Sequence, residues 1–271
     1  MEVINLQKGQ TIDLRKNKQG IDVYDLSTVT IGLGWDVREV YKTINVAQEQ
    51  SNFDKFLNRP IKYKEVQVLD ENQEDYDLDA IAFCLDKNGK VSNLGREIET
   101  SNGSKQRLQQ SDVIFFNNLT APSGNFGVYK NLSKSAISQK VKQLIADGEY
   151  IIHTGDNLTG EGDGDDEQII VRLDSLPNRI EKIVFLVSIY KGREKNQHFG
   201  MVDNAFIRAV DGKGQEIARF NLSADASSNG KRSVTFAEVY RKDGGWKFRA
   251  IGESHETDLF IHLLKQYLYN A

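Results

Sequence analysis

Six carboxylates fall within the twelve residues Asp156-Asn-Leu-Thr-Gly-Glu-Gly-Asp-Gly-Asp-Asp-Glu167, a segment without Lys or Arg that we call the acid loop. In an ordered loop these charges repel one another unless a cation offsets them. Ca²⁺ prefers carboxylate, amide and backbone oxygens, and three glycines let this backbone bend so that several oxygens face one point. The acid loop therefore predicts a calcium site. Its carboxylates are Asp156, Glu161, Asp163, Asp165, Asp166 and Glu167.

The same composition is also typical of a solvated turn, in which the carboxylates stay hydrated and no ion binds. The EF-hand pattern, with acids at loop positions 1, 3 and 5, Gly at 6 and Glu at 12, is absent. Strand-like runs flank the loop at residues 150–154 and 168–173. Because both ends of the loop are held, less ordering entropy opposes ion binding.

The composition excludes several classes of protein. The chain of 271 residues has a net charge of −4 and a pI near 5.7, which gives no overall basis for nucleic-acid binding. No apolar run approaches the roughly 20 residues of a membrane span, and the N-terminus lacks a signal-peptide pattern. Cys84 is the single cysteine, and its apolar neighbours indicate a core residue. We therefore expect a cytoplasmic protein.

Short β-type runs separated by Gly and Asp turns dominate the sequence, which predicts an all-β fold, an antiparallel β-sandwich. Two hairpins are indicated, 204–210 with 216–222 and 234–240 with 246–251, and a turn at 86–89 predicts a third. Further strands are expected at 28–33, 78–85, 112–116 and 182–190; the last two are predicted to be buried central strands, and 182–190 is apolar on both faces.

Two segments depart from the β pattern. Residues 133–147 predict an inserted helix with Ser133 as its N-cap, and residues 257–269 predict a C-terminal helix with one apolar side. We expect both helices to pack on a sheet. The chain then forms a single domain, 1–271, with insertions at about 40–76, 92–111 and 125–149.

The acid loop and its surroundings resemble the TerD family of tellurite-resistance and stress-response proteins. The run Gly155 to Glu167 matches the hallmark of that family over its whole length. The resemblance covers roughly residues 1–39, 77–124 and 150–271. Further matching runs are Gly32-Leu-Gly-Trp-Asp36, Asp77-Leu-Asp79, Phe116-Asn-Asn118, Ile183-Val-Phe-Leu-Val-Ser-Ile-Tyr190, Gln197-His-Phe-Gly200, Asn204-Ala-Phe-Ile-Arg208, Ala218-Arg-Phe-Asn-Leu-Ser223 and Trp246-Lys-Phe-Arg-Ala250.

The resemblance implies a compact antiparallel β-sandwich that binds calcium at two neighbouring sites. It also implies a role in cytoplasmic assemblies with other stress-resistance proteins, including a membrane protein of the same resistance system. This chain would then lie in the cytoplasm or peripherally at the inner face of the membrane. The segment between Asp36 and Asp77 is longer than is usual in the family.

Further oxygen donors join the acid loop in this interpretation. Asp77 and Asp79 are two residues apart, so in a strand their side chains point to the same face. Together with the loop they supply more carboxylates than one Ca²⁺ uses, which favours two ions over one. Each added residue is also explained as an ordinary turn or strand-end residue. The remaining candidates are Asp36, Asn117, Asn118 and, within the loop, Asn157.

Three functions of different classes remain open. The leading hypothesis is a non-enzymatic calcium-binding module that acts as a calcium-dependent interaction or scaffold protein. The alternative is a calcium-dependent binder of membrane phosphate groups or other anionic ligands. A metal-dependent hydrolase is disfavoured because no nucleophile stands out and no Ser-His-Asp or Cys-His grouping is evident. Zinc is disfavoured because the chain has one cysteine and scattered histidines.

Overall fold

The computed structural model describes residues 4–5, 11–13, 24–25, 27–36, 41–69, 76–99, 102–124, 133–155, 164–222 and 229–269. The chain forms two compact units. One comprises Met1–Val37 and Tyr76–Ala271, and the other comprises Arg38–Asp75. The larger unit contains the two main sheets and both ends of the acid loop.

The first sheet has seven strands, and all neighbours pair antiparallel except β1 with β15, which are parallel. In spatial order the strands are β1 (Ile4–Asn5), β15 (Glu216–Asn221), β14 (Asp203–Asp211), β3 (Val29–Asp36), β12 (Glu167–Val171), β11 (Ile151–His153) and β10 (Thr120–Ala121).

The second sheet has six antiparallel strands. In spatial order they are β2 (Thr11–Asp13), β17 (Gly245–His255), β16 (Ser233–Lys242), β13 (Lys182–Ile189), β6 (Leu78–Leu85) and β9 (Val113–Ile114). The antiparallel β-sandwich predicted from the sequence is confirmed, and so are the two hairpins β14–β15 and β16–β17.

The main core lies between the two sheets. It contains alternate residues of β3 (Val29, Ile31, Leu33) together with inward residues of β13 such as Phe185, all at most 1% exposed. Strands β6 and β13 are buried along nearly their whole length. Because the outer faces of both strands are covered as well, their sequences are apolar along most of their length and do not alternate between apolar and polar residues.

The inserted helix forms as predicted. Helix α2 (Lys134–Ala146) has Ser133 as N-cap, whose hydroxyl oxygen accepts a backbone hydrogen bond from the first turn. Gly148, just beyond the C-cap, has a positive φ of 94°, which suits glycine at the end of a helix. On the apolar side of the helix, Leu144 shares a buried cluster with Ile152 of β11. The helix therefore covers the outer face of the first sheet beside the acid loop.

The C-terminal helix is shorter than predicted. The sequence predicts a helix over 257–269, but the structure has α3 (Phe260–Leu264) followed by a 3-10 turn, Lys265–Tyr267. The hydroxyl of Thr257 accepts a hydrogen bond from the backbone N–H of Leu259 at 3.1 Å. This side-chain turn competes with helix formation at the predicted start. The segment still packs on the outer face of the second sheet, as expected.

Two predictions about β-strands are wrong: the hairpin at residues 86–89 and the strand at 112–116. Residues 86–89 do form a turn, with the backbone N–H of Gly89 bonded to the oxygen of Asp86, but no hairpin follows. Strand β6 instead pairs with β9 and β13, which lie further along the chain. The run 112–116, predicted to be a central strand, forms only the two-residue strand β9 at the edge of the second sheet and ends in a turn closed by Phe115 and Asn118. The residue types at 86–89 therefore predicted the turn correctly, but they did not predict which strands pair with β6.

The unit Arg38–Asp75 is a two-stranded antiparallel hairpin. Its strands are β4 (Tyr41–Ala47) and β5 (Tyr63–Leu69), joined by a connection that contains the short helix α1 (Asn52–Phe56). A second small hairpin, β7 (Arg96–Glu99) with β8 (Lys105–Gln109), lies in the predicted 92–111 insertion. Among the described residues, no helix is long and apolar enough to cross a membrane.

Candidate metal centre

The acid loop connects β11 to β12 at one rim of the sandwich. Four of the predicted ligands, Asp156, Asn157, Glu161 and Asp163, lie outside the described residues. The loop is described again from Gly164, so its return to the first sheet is defined. On the entry side, Thr154 and Gln168 exchange backbone and side-chain hydrogen bonds, including 2.9 Å from the N–H of Thr154 to the oxygen of Gln168. Both ends of the loop are thus held, as the flanking strands indicate.

Asp165 is held by side chains of the first sheet. Its Oδ1 accepts a hydrogen bond from Arg208 Nε at 2.7 Å, and its Oδ2 accepts one from Gln168 Nε2 at 2.9 Å. The carboxylate is nearly fully buried, with 2% of the side chain exposed. The bond to Asp165 raises the pKa of the Arg208 guanidinium. Asp165 therefore fixes the loop to β14, whatever it contributes to an ion.

Glycines of β3 make room for the returning loop. A Cβ on Gly32 would overlap the Asp165 carboxylate, and a Cβ on Gly34 would lie 2.6 Å from the backbone oxygen of Gly164. Real Cβ atoms do not approach this closely, so the loop can lie on β3 only where side chains are missing. The Gly32-Leu-Gly34 run is thus explained by the path of the acid loop.

Asp166 bonds to the end of β3. Its backbone N–H donates to the oxygen of Leu33 at 2.8 Å, and its Oδ2 accepts from the backbone N–H of Trp35 at 3.0 Å. The indole of Trp35 in turn donates to the oxygen of Tyr76 at 3.0 Å. Because Tyr76 immediately precedes Asp77, this chain of bonds connects the acid loop to the second sheet.

Glu167 makes a direct connection between the sheets. It is fully buried, and its Oε2 accepts from the backbone N–H of Ala80 in β6 at 2.8 Å. His153 Nε2 lies 3.6 Å from the same oxygen and 3.1 Å from the oxygen of Ala80. Since His153 Nδ1 accepts from the N–H of Gly155, the ring proton is on Nε2. Burial lowers the pKa of His153 to about 4, so the ring is neutral at pH 7 and supplies no charge to Glu167.

Asp77 and Asp79 lie at the start of β6, beside Glu167. They are 8% and 5% exposed, and the oxygen of Asp77 accepts from the backbone N–H of Tyr190 at 2.8 Å. Asp79 faces Ser188 in the register with β13. Two further carboxylates are therefore buried where β6 meets the end of the acid loop.

Asn117 and Asn118 lie in the turn after β9. Asn118 is fully buried; its Oδ1 accepts from the N–H of Gln110 at 3.0 Å, and its Nδ2 donates to the oxygen of Val113 at 2.7 Å. The backbone oxygen of Asn117 accepts from Gln109 Nε2 at 2.8 Å. The structure thus uses the Asn118 amide to close the turn, the ordinary role that the sequence left open.

Asp36 ends β3 near this rim. It is exposed, and its Oδ2 accepts a hydrogen bond from Asn204 Nδ2 at 2.6 Å. Asn204 has a positive φ of 49° within the irregular start of β14, where the register with β3 shifts. The contact holds the Asp36 carboxylate at the exposed end of β3.

Four candidate carboxylates thus lie at strand ends next to the described return of the acid loop, Asp166 and Glu167 on the first sheet and Asp77 and Asp79 at the start of β6. In the part of the chain that the structure describes, no group of three or more His, Cys, Asp or Glu side chains is arranged to hold a metal ion. An ion at this rim therefore needs oxygens from residues 156–163. The donors present suit calcium, because they are carboxylate oxygens. These donors are Asp77, Asp79, Asp166 and Glu167.

The described residues do not suit zinc or cysteine chemistry. Both ring nitrogens of His153 have backbone partners, and Cys84 is buried within β6, where burial raises the pKa of its thiol. A thiol in such surroundings is a poor nucleophile and a poor metal ligand. This agrees with the core position predicted for Cys84.

Sequence reasoning missed Arg208, Gln168 and His153 as the residues that hold the loop. The Asn204-Ala-Phe-Ile-Arg208 run and the two glycines of β3 were visible as motifs, but nothing in their spacing links them to the acid loop. His153 is 1% exposed, and its ring bonds to the backbone of Ala80 and Gly155.

The fold and this rim define a class: a two-sheet β-sandwich with an acidic loop held at one edge. The TerD domain family matches residues 1–96 and 141–267 of the chain. The chain belongs to the TerD family, and the resemblance seen in the sequence is confirmed.

Proteins similar to this chain are named for tellurium resistance or for the stress response. Tellurium resistance protein TerX of Serratia marcescens is 44% identical over 265 residues, covering 98% of this chain and 99% of the relative. Stress response protein SCP2 of Bacillus subtilis (strain 168) is 32% identical over 266 residues, covering 98% and 99%. Neither name states an enzymatic activity.

A solved structure, the protein of unknown function SAV2460, is similar in fold. Its TM-score is 0.50 at 16% identity, with 86% of this chain and 92% of that chain covered. At this identity the likeness supports the sandwich fold alone. The family is therefore one of tellurium-resistance and stress-response proteins, and the two sheets are its shared framework.

Proposed function

We propose that this protein is a non-enzymatic calcium-binding module of a chemical-stress response, in which two Ca²⁺ ions order the acid loop. One observation carries the proposal: Glu167 Oε2 bonds to Ala80 N at 2.8 Å, which brings the end of the acid loop to the buried Asp77 and Asp79. Burying several carboxylates together is costly unless a cation compensates them.

Within this proposal the described residues have different roles. Asp77, Asp79 and Glu167 would offer oxygens from the rigid strands, and residues 156–163 would complete the coordination shells. Arg208 holds Asp165 in place and so fixes the point at which the loop returns to the sheet. A bound ion adds stability by mass action, about 2.7 kcal/mol when calcium is 100 times its dissociation constant.

The ordered loop would then present a surface to other proteins, so the module would act as a calcium-dependent interaction or scaffold protein. Its setting would be the cytoplasm, with other stress-resistance proteins, including a membrane protein, as partners. The names of the relatives and the acidic rim support this reading over an enzyme, because no nucleophile is identified among the described residues at the rim.

Calcium titration tests the proposal. Chelator-stripped protein is titrated by isothermal calorimetry, and the melting temperature is recorded with and without calcium. We expect two ions at micromolar or tighter affinity, with a rise in melting temperature. Glu161→Gln combined with Asp163→Asn should abolish both effects. These two are better targets than Asp165, because Asp165→Asn would also weaken the pairing with Arg208.

The matched control removes two exposed acids elsewhere in the larger unit, Asp174→Asn with Glu99→Gln. This variant has the same change in charge and should bind calcium like the wild type. Equal loss of binding in both variants would point to non-specific charge effects. No heat and no stabilisation up to millimolar calcium would refute the proposal.

Calcium-dependent interaction needs a second readout. Tagged wild-type protein is used to recover partners from stressed cells in calcium or in chelator, with the Glu161→Gln and Asp163→Asn variant in parallel. Partners recovered only in calcium, and only by the wild type, support a scaffold role. An identical set of partners in all three conditions would show that the ion does not control the interaction.

A further inference from the structure

The hairpin unit Arg38–Asp75 exposes most of its large apolar side chains. Of the thirteen large hydrophobic residues that are exposed in the described chain, eight lie in this unit. Phe56 is 82% exposed and Phe53 is 65% exposed. Single exposed apolar residues are ordinary, but a cluster of this size marks an interaction surface. The eight are Tyr41, Ile44, Val46, Phe53, Phe56, Leu57, Ile61 and Tyr63.

The register of the hairpin separates its two faces. Residues directly opposite in an antiparallel pair share a face. Ile44 faces Val66 and Val46 faces Lys64, and the flanking pair on that face is Lys42 with Val68. This face, which we call the apolar face, therefore has aliphatic residues at its centre and lysines at its margin. The other face carries the polar pairs Thr43 with Gln67 and Asn45 with Glu65 at its centre, and Tyr41 with Leu69 and Ala47 with Tyr63 at its ends.

The connection between the two strands continues this pattern. Phe53 and Phe56 belong to α1, and Leu57 and Ile61 follow it, all of them exposed. Exposed basic residues alternate with them at Lys55 and in the run Arg59-Pro-Ile-Lys62. We call residues 48–62 the tip. The tip thus combines aromatic and aliphatic side chains with three cations and two carboxylates, Glu49 and Asp54, for a net charge of +1.

The two strands and the tip, residues 41–69, carry a net charge opposite in sign to that of the whole protein, whereas the unit Arg38–Asp75 with its flanking acidic residues has six basic and eight acidic side chains. Residues 41–69 contain five basic and three acidic side chains, whereas the complete chain has a net charge of −4. The acidic run at 70–75 follows Leu69, which pairs with Tyr41 at the end of the hairpin opposite to the tip. Positive charge is therefore concentrated at the tip and along the apolar face.

We propose that this hairpin docks on an anionic phospholipid bilayer, with the tip inserted at the headgroup boundary. Aromatic and aliphatic side chains enter that boundary, and lysines and arginines beside them pair with lipid phosphates. A second copy of this chain fits less well. Two apolar faces packed symmetrically would bring Lys42 and Lys64 against their own copies without compensating charge.

This binding is separate from the calcium site, because it uses none of the acid-loop residues. It is therefore tested in chelator. Wild-type protein is sedimented with vesicles of phosphatidylglycerol and phosphatidylcholine in equal parts, and with vesicles of phosphatidylcholine alone. We expect binding to the anionic vesicles only, weakened by added salt. The Glu161→Gln and Asp163→Asn variant should bind like the wild type.

Substitutions assign the binding to the hairpin. Phe53→Ser with Phe56→Ser should weaken vesicle binding by about tenfold or more, because two exposed apolar groups are removed. The matched control is Leu259→Ser with Ile261→Ser, two exposed apolar residues of the larger unit, and it should bind normally. Both pairs are exposed, so neither should abolish folding, which circular dichroism checks.

A variant with two reversed charges and a tryptophan introduced into the tip test the roles of charge and of insertion. Lys62→Glu with Lys64→Glu should abolish the preference for anionic vesicles, whereas Lys87→Glu with Lys142→Glu should keep it. Phe53→Trp should be quenched by brominated lipids, while the native tryptophans Trp35 and Trp246, at 2% and 6% exposed, should not.

Four outcomes would overturn the proposal. Vesicle binding that needs calcium would point to the rim site instead. Binding that Phe53→Ser with Phe56→Ser leaves unchanged would exclude the tip. Loss of vesicle binding on Lys62→Glu with Lys64→Glu, without quenching of the Phe53→Trp probe, would indicate adsorption by charge alone and refute insertion of the tip. If the wild-type protein is a dimer and the variant with Phe53→Ser and Phe56→Ser is a monomer, the hairpin is an interface between two copies of the chain.

Discussion

Replacing Gly32 by alanine tests how the acid loop is held. Gly32 lies in β3 directly beneath the Asp165 carboxylate, and an added Cβ would overlap that carboxylate. Asp165 must then move away from Arg208 Nε, now at 2.7 Å, and from Gln168 Nε2, now at 2.9 Å. The substitution thus adds one methyl group and breaks a buried ion pair.

The magnitude follows from the surroundings of the pair. Removing one partner of a buried ion pair costs about 3–5 kcal/mol. Arg208 is 27% exposed and keeps Glu216 at 3.1 Å, so the cost here should be smaller. Alanine also regains roughly 0.5–1 kcal/mol over glycine in a strand. We expect a loss of about 2 kcal/mol, or a melting temperature lower by about 4–8 °C.

The assay is urea denaturation in chelator, followed by tryptophan fluorescence, for four proteins: wild type, Gly32→Ala, Asp165→Ala and the double variant. With the carboxylate removed, the new methyl group has room, so Gly32→Ala should cost less than about 0.5 kcal/mol in the Asp165→Ala background. An equal cost in both backgrounds would refute the steric argument. No cost in the wild-type background would refute the position of Asp165 itself.

Three further predictions concern the larger unit. Cys84 should not react with a disulfide reagent in the native protein and should react fully in guanidinium chloride, because burial raises the pKa of its thiol; rapid native labelling would contradict this. Arg179→Met should lower the free energy of unfolding by about 1–2 kcal/mol, because it removes the two bonds of 2.6 and 2.8 Å to the buried Asp112, while Arg179 is 43% exposed and Asp112 keeps its bond from the backbone N–H of Asn93; an unchanged urea midpoint would show that the pair is dispensable. Hydrogen bonding to Arg219 lowers the pKa of Glu216 below its unfolded value, so its contribution to stability is present above about pH 4.3 and is lost as pH falls through the folded pKa. Glu216→Gln should therefore reduce stability at pH 7 and make the acid limb of the stability curve shallower; parallel curves for the two proteins would count against it.

Local signals account for the elements that the sequence predicted well. The helix α2 is within one residue of its predicted bounds at each end. Ser133 caps its N-terminus through its hydroxyl, and Gly148 adopts the positive φ that suits the end of a helix. The hairpins β14–β15 and β16–β17 join strands that are neighbours in sequence. Where the partner strand is distant, as for β6 with β13, the turn residues gave no information about pairing.

The sequence predicted which carboxylates belong to the candidate site, but it did not predict which residues they contact. The density of carboxylates between 156 and 167 identifies the acid loop without any structure. The sequence alone does not show that the Asn118 amide closes a turn, or that Asp165 is paired with Arg208. Those roles depend on residues eight and forty-three positions away in the chain.

The sequence by itself determined the class of fold and the position of the acid loop, because these follow from residue type and local order. Only the tertiary structure decided that Glu167 bonds to Ala80 across the two sheets, and that glycines of β3 lie where Asp165 must fit. Such contacts join strands that are distant in sequence, and the packing of two sheets selects them. Spacing along one chain does not encode which side chains meet across a sandwich.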